Sequence, residues 1–157
     1  MCGDIHGQYY DLANIFKLNG NPALNNKYLF NGDFVDRGSF SVECILTLVA
    51  WKASNPDVIH LTRGNHEART VNMIYGFKGE VETKYGADVY EAFCKLFCTL
   101  PLAYTLNNRV MICHGGLFTE DGVKLEDIKK IDRFREPPEK GLMCDLLWAD
   151  PKASNGR

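Results

Sequence analysis

The sequence lacks the features that mark several common functional classes. Eighteen basic residues against twenty acidic ones leave a formal charge of -2, so no one-signed field draws the chain to nucleic acid or to an anionic membrane surface. No apolar run approaches the ~18 residues that span a bilayer, and the N-terminus has neither the basic nor the apolar part of a secretory signal. The six cysteines form no Cys-x-x-Cys pair and no dense framework, which disfavours zinc fingers and secreted disulfide scaffolds. These absences predict a soluble intracellular protein, cytoplasmic or also nuclear, with no nucleic acid and no membrane among its partners.

Three phosphate chemistries are missing as well. No cysteine is followed six residues later by arginine, so there is no cysteine-nucleophile phosphatase loop. No Gly-Lys dipeptide occurs, which removes a Walker A loop, and no Asp-x-Asp occurs, which removes an aspartyl-phosphate mechanism.

What is present begins with enough apolar content for a core, 45% of 157 residues, and no linker, repeat or low-complexity segment. One domain over residues 1–157 is expected. Helical spacing of Tyr9, Leu12, Ile15 and Phe16 predicts a first helix to Leu18, and a second runs from about Val42 to Ser54 with Ser41 placed to cap it. Short apolar runs at Met1-Cys2, Tyr28-Leu29-Phe30 and Val58 to Leu61 alternate with these helices, which predicts parallel strands joined by right-handed crossovers. Further on, Thr70 to Tyr75 and Ala87 to Leu100 read as helices, with Cys94 and Cys98 taken as core residues beside Phe93 and Phe97. Leu102 to Leu106 and Arg109 to Cys113 read as a hairpin about Asn107-Asn108. Beyond Leu117 the pattern is irregular, with a short helix near Leu125 to Ile131 and an apolar Leu146-Leu147-Trp148.

The chemistry lies where the strands end. Five metal-binding side chains, Asp4, His6, Asp33, Asn65 and His114, each stand where an apolar run breaks into glycine. Loops beyond the carboxyl ends of neighbouring strands fan toward one crevice, so four such loops can share a site. Carboxylate, imidazole and amide oxygen suit Mn, Fe, Zn or Mg, and a pair of such ions activates water and clamps a phosphoryl group. Asp33 can bridge two ions through its two oxygens, and Arg37 is placed to fork onto phosphate. His66 follows Asn65 directly and, oriented by Asp36, is the candidate acid that protonates a departing alkoxide. Each motif alone also reads blandly: Asn65 as a helix cap, His114-Gly115-Gly116 as a turn, His60 between Ile59 and Leu61 as a structural histidine.

Together Gly3-Asp4-Ile5-His6-Gly7-Gln8, Gly32-Asp33-Phe34-Val35-Asp36-Arg37-Gly38, Arg63-Gly64-Asn65-His66-Glu67 and His114-Gly115-Gly116 resemble the metal-dependent serine/threonine protein phosphatases. Ile74-Tyr75-Gly76-Phe77 and Cys144 to Trp148 look most like the type-five branch. The resemblance implies an α/β (α+β) calcineurin-like metallophosphoesterase, a four-layer αββα sandwich, acting on phosphoserine or phosphothreonine in proteins. It implies two divalent ions, manganese first: Asp4, His6 and Asp33 on one, Asp33, Asn65 and His114 on the other, with Arg37 and Asn65 on the phosphate. Phosphoprotein substrates and regulatory proteins are the implied partners. The family takes a further histidine and arginine from sequence beyond the position of Arg157, and a longer strand before Cys2. The chain therefore reads as the leading, incomplete half of a catalytic domain. Two rival readings stand beside it: a weak or inactive fragment that binds metal or partner proteins, and a metallophosphoesterase acting on nucleotides or diesters.

Overall fold

β1 (Tyr28–Asn31) and β2 (Ile59–Thr62) pair in parallel, Tyr28 opposite Ile59 and Asn31 opposite Thr62, in a computed structural model that describes residues 1–151. Cys2 adds a parallel bridge to Phe30, its N–H donating to the Leu29 carbonyl. The expected strand-helix alternation is present: α1 (Tyr9–Asn19) precedes β1, and α2 (Ser41–Ser54) makes the crossover from β1 to β2. Leu12 of α1 and Val42, Cys44, Ile45 and Leu48 of α2 are buried, as are Phe30 and Ile59 of the strands. Phe16, Tyr28 and Phe30 meet ring to ring within this core.

Ser41 is not the cap expected for α2. It is the first helical residue, and its N–H and that of Val42 donate at 3.0 and 2.9 Å to the Glu80 carboxylate of α4 (Phe77–Lys84). The Ser41 hydroxyl turns instead to the preceding loop and accepts the Asp36 N–H at 3.1 Å. A carboxylate over a helix N-terminus satisfies free N–H groups and meets the positive end of the dipole. α4 itself escapes sequence reading because Phe77 and Val81 are its only buried positions, too few to show a period. The helix expected over Thr70 to Tyr75 shortens to α3 (Arg69–Asn72).

α5 (Ala87–Thr99) buries Tyr90, Phe93, Cys94 and Phe97 at helical spacing. Cys98 departs from its expected core role: its sulfur lies 3.7 Å from both the Arg63 guanidinium and the Glu136 carboxylate. β3 (Ala103–Leu106) and β4 (Val110–Cys113) form the expected antiparallel hairpin, with Asn107 and Asn108 at φ 51° and 53°, the left-handed pair that a two-residue turn demands. The short helix ends earlier than expected, as α6 (Leu125–Lys129). The last apolar run, read as irregular, is a helix, α7 (Leu142–Trp148), entered from Gly141 at φ 96°.

Two apolar clusters result. The larger runs from Ile5 to Leu100 around β1 and β2, and the smaller joins Leu102 to Met143, Leu146 and Leu147. A groove of about 850 Å³ beside the hairpin is lined by Met111, Leu117, Phe118 and Val123 among others. No helix among the described residues is long and apolar enough to cross a membrane. Arg157 lies outside the described residues.

Candidate metal centre

The loops after Cys2, β1, β2 and β4 open onto one cleft of about 230 Å³ lined by Asp4, His6, Asp33, Arg37, Asn65, His66 and His114. All five proposed ligands are thus brought together. Asp33, at the end of β1, is the centre of the arrangement. One carboxylate oxygen accepts the His66 N–H at 3.0 Å, and the other lies 3.4 Å from Nε2 of both His6 and His114. His114 Nε2 also lies 3.2 Å from the Asn65 amide oxygen, and His6 Nε2 3.7 Å from Asp4.

The tautomers follow from the other ring nitrogens. His6 Nδ1 faces the Val35 carbonyl at 2.8 Å, and His114 Nδ1 faces the Asn31 carbonyl at 2.7 Å. A carbonyl only accepts, so each Nδ1 must carry hydrogen, which leaves Nε2 as the nitrogen whose lone pair a metal would take once it is free of a proton. Asp4, Asp33 and His114 offer donor atoms all within 4.8 Å of one another, and so do His6, Asp33 and His66. This nitrogen and oxygen set fits divalent first-row ions. His66 is within reach of the cluster, but its ring is engaged elsewhere: Nδ1 donates to Asp36 at 2.7 Å and Nε2 lies 3.4 Å from an Arg37 nitrogen.

Backbone shape at the site is costly. Six non-glycine residues among those described have positive φ: Asn107 and Asn108 in the hairpin turn, and His6, Asp33, Asp36 and Arg37 here. Left-handed backbone costs ~1–2 kcal/mol per such residue, so the surroundings must over-determine it. Glu67, which follows His66, does part of this and escaped sequence reasoning. One of its oxygens accepts the N–H groups of Asp33 and Gly64, the other those of Phe34 and, at 3.4 Å, Val35. Burial and the Asp33 charge push the Glu67 carboxyl up to about 7, against the pull of those N–H groups. Arg63, wholly buried, ties the same loop outward by donating to the Glu67 and Arg135 carbonyls. Asn31 joins three strands: its amide donates to Cys113 and its oxygen accepts from Thr62. No sequence signal marks these roles, because each depends on backbone groups brought close only by folding.

Burial alone would raise the Asp33 carboxyl, but the His114 hydrogen bond and charge, with the His66 N–H, outweigh it and hold Asp33 below the usual range. Burial works against the His114 charge too, yet Asp33 lifts its imidazole to about 9. Each partner thus favours the other's charged form in the metal-free protein. Two glycines let the loops meet: a Cβ on Gly32 would stand 2.6 Å from the Cα of Gly64 and 2.8 Å from His114 Nδ1. Leu147, Trp148 and Asp150 complete the cleft wall, which the sequence did not foretell. His60 lies outside it, ring against Tyr104.

Known proteins share the sequence and the fold. The chain is 62% identical over 157 residues to serine/threonine-protein phosphatase 5 of Solanum lycopersicum, covering 28% of that protein, and 62% identical to serine/threonine-protein phosphatase 5 of Homo sapiens, covering 32%. It spans less than a third of the length of these curated relatives. A solved protein serine/threonine phosphatase from Saccharomyces cerevisiae, described as similar to human phosphatase PP5, superposes with a TM-score of 0.97 at 46% identity over 99% of this chain and 49% of that one. The calcineurin-like phosphoesterase family model matches residues 1–157. A family match over the whole chain and a fold so shared leave one assignment: the chain belongs to the calcineurin-like phosphoesterase family, whose members work with divalent metal ions.

Proposed function

We propose that residues 1–157 form a partial catalytic domain of a protein serine/threonine phosphatase, hydrolysing phosphoserine and phosphothreonine in proteins. The observation that carries the reading is one Asp33 oxygen lying 3.4 Å from the Nε2 atoms of two imidazoles, His6 and His114. Asp4, His6 and Asp33 would hold one divalent ion and Asp33, Asn65 and His114 a second, with manganese the first candidate. Bound there, such a pair polarises phosphoryl oxygens and acidifies water.

The chain's own residues supply the rest. Arg37 is at the cleft and carries a planar fork of donors for the phosphate oxygens. Asn65 offers its amide N–H groups to the same oxygens. His66, held through Nδ1 by buried Asp36, presents Nε2 toward the cleft and passes a proton to the departing serine or threonine oxygen as the P–O bond breaks. Asp36 stabilises the imidazolium before that transfer and fixes which nitrogen gives the proton. A water molecule gives phosphorus the oxygen that replaces the departing one, so the products are the free hydroxyl and inorganic phosphate.

The test is metal content by elemental analysis together with turnover of a phosphothreonine peptide, His66→Asn run alongside. Two ions per chain, and turnover that the substitution abolishes, are expected. At most one ion, with the two proteins at the same background rate, would instead favour the second reading, a chain that holds metal or a protein partner without efficient catalysis. The apolar groove beside the hairpin is the observation behind that alternative.

A further inference from the structure

We propose that Tyr75-Gly76-Phe77, the end of the α3–α4 loop and the first residue of α4, is a clamp that positions Asp36, Arg37 and His66, with Tyr75 a positioning residue for the proton donor. The inference rests on the roles given above to those three residues, and on three contacts from one short segment. The Tyr75 carbonyl accepts the Arg37 N–H at 3.1 Å. The Phe77 N–H donates at 2.9 Å to the Asp36 oxygen that His66 does not use. The Tyr75 ring stands edge-on to the His66 ring, centroids 5.3 Å apart at 61°.

These contacts fall where the backbone most needs them. Asp36 and Arg37 are consecutive left-handed residues, at φ 71° and 65°. Within their own loop they have only the Ser41 hydroxyl on the Asp36 N–H and the Gly38 N–H on the Asp36 carbonyl. The outer anchors come from a segment about 40 residues away. Gly76 shapes that segment: at φ 121° it opposes any L side chain, although nothing lies within 4 Å of where a Cβ would be. Its carbonyl starts α4, and α4 is fixed to α2 by Glu80 and by Lys84 on Glu43. The clamp is thereby mounted on the larger core. Phe77 is fully buried there, against Phe93 and Phe97.

Glycine with open space around it separates backbone angle from steric clash, which makes the test selective. In the metal-free 157-residue chain, the His66 Nδ1–H proton bonded to Asp36 is expected to give a low-field NMR resonance. Gly76→Ala is expected to shift or broaden it and, with manganese added, to weaken inorganic phosphate binding about tenfold. Tyr75→Ala keeps the carbonyl on Arg37, so phosphate affinity should hold while the His66 proton exchanges faster with solvent. With an aryl phosphate, Tyr75→Ala should lower kcat and leave KM in place, and Tyr75→Phe should restore both proton and rate. A segment with only a structural role would lower Tm without this split between the two positions. If Gly76→Ala does not fold, the contrast of Tyr75→Ala with Tyr75→Phe decides. Unchanged resonance and exchange in every folded variant would overturn the clamp. Should the unsubstituted chain take up no metal, the phosphatase reading fails, and the His66 proton still judges the clamp.

Discussion

The two apolar clusters carry unequal shares of the same centre. Asp4, His6, Asp33 and Asn65 hang from loops around β1 and β2, backed by a continuous core from Ile5 to Leu100. His114 hangs from the hairpin, whose own cluster has four buried members, Leu102, Met143, Leu146 and Leu147. Leu106, Val110 and Leu117 of that side stand exposed. The cleft is thus built across a seam, with its central carboxylate, Asp33, on the well-packed side and one imidazole, His114, on the sparse side. A ligand that binds both sides only when they are joined stabilises the join.

The comparison breaks most visibly through Phe30→Ala. Phe30 is fully buried between Phe16 and Tyr28, and the loss of about 4 kcal/mol should appear in urea unfolding with both sides melting together. Leu146→Ala, on the sparse side, should cost about 2 kcal/mol, the lower end because a small cluster can collapse into the gap. Amide exchange should then speed in β4 and α7 and not in β1 or β2; equal acceleration in β1 would mean that the two clusters are one.

The seam also has a pH signature. Asp33 across it raises the His114 pKa from 6.5 to about 9, and His114 in turn lowers that of Asp33 from 3.8, so the pair's contribution to metal-free stability is complete between 3.8 and 6.5, falls away in acid as Asp33 takes up a proton, and disappears as pH rises through about 9. Metal must displace the His114 proton. Manganese affinity, by calorimetry, should therefore rise about tenfold per pH unit, or ~1.4 kcal/mol, between 6.5 and about 9, and His114→Asn should flatten the slope. The smallest effect is Asn108→Ala, in the left-handed turn. It should cost about 1 kcal/mol and touch exchange only in β3 and β4.

What could be read from the sequence divides along physical lines. α1, α2 and α5 were legible because one face of each is buried at helical spacing, as with Tyr90, Phe93, Cys94 and Phe97. α4 and α7 were not: Phe77 and Val81 give α4 too little period, and α7 depends on Leu102 and the hairpin to bury it. The convergence of Asp4, His6, Asp33, Asn65 and His114 on one cleft was legible because glycine-flanked strand ends announce themselves. Ser41, Glu67, Arg63 and Tyr75 act through backbone groups, up to 72 residues distant for Arg63 and Arg135, and no local pattern encodes such a partner. Cys98 was misread for the same reason, since its polar neighbours are Arg63 and Glu136.

The close approach of Gly32 to Gly64 limits how the site can be re-engineered. With less than a carbon–carbon contact between a Cβ on Gly32 and the other loop's backbone, neither segment can acquire a side chain unless the sheet splits. Loop shuffling or transplantation that moved Asp33 without Asn65 would therefore deliver a carboxylate to a scaffold unable to close upon it. An engineer would have to move the two motifs together, however far apart they are written.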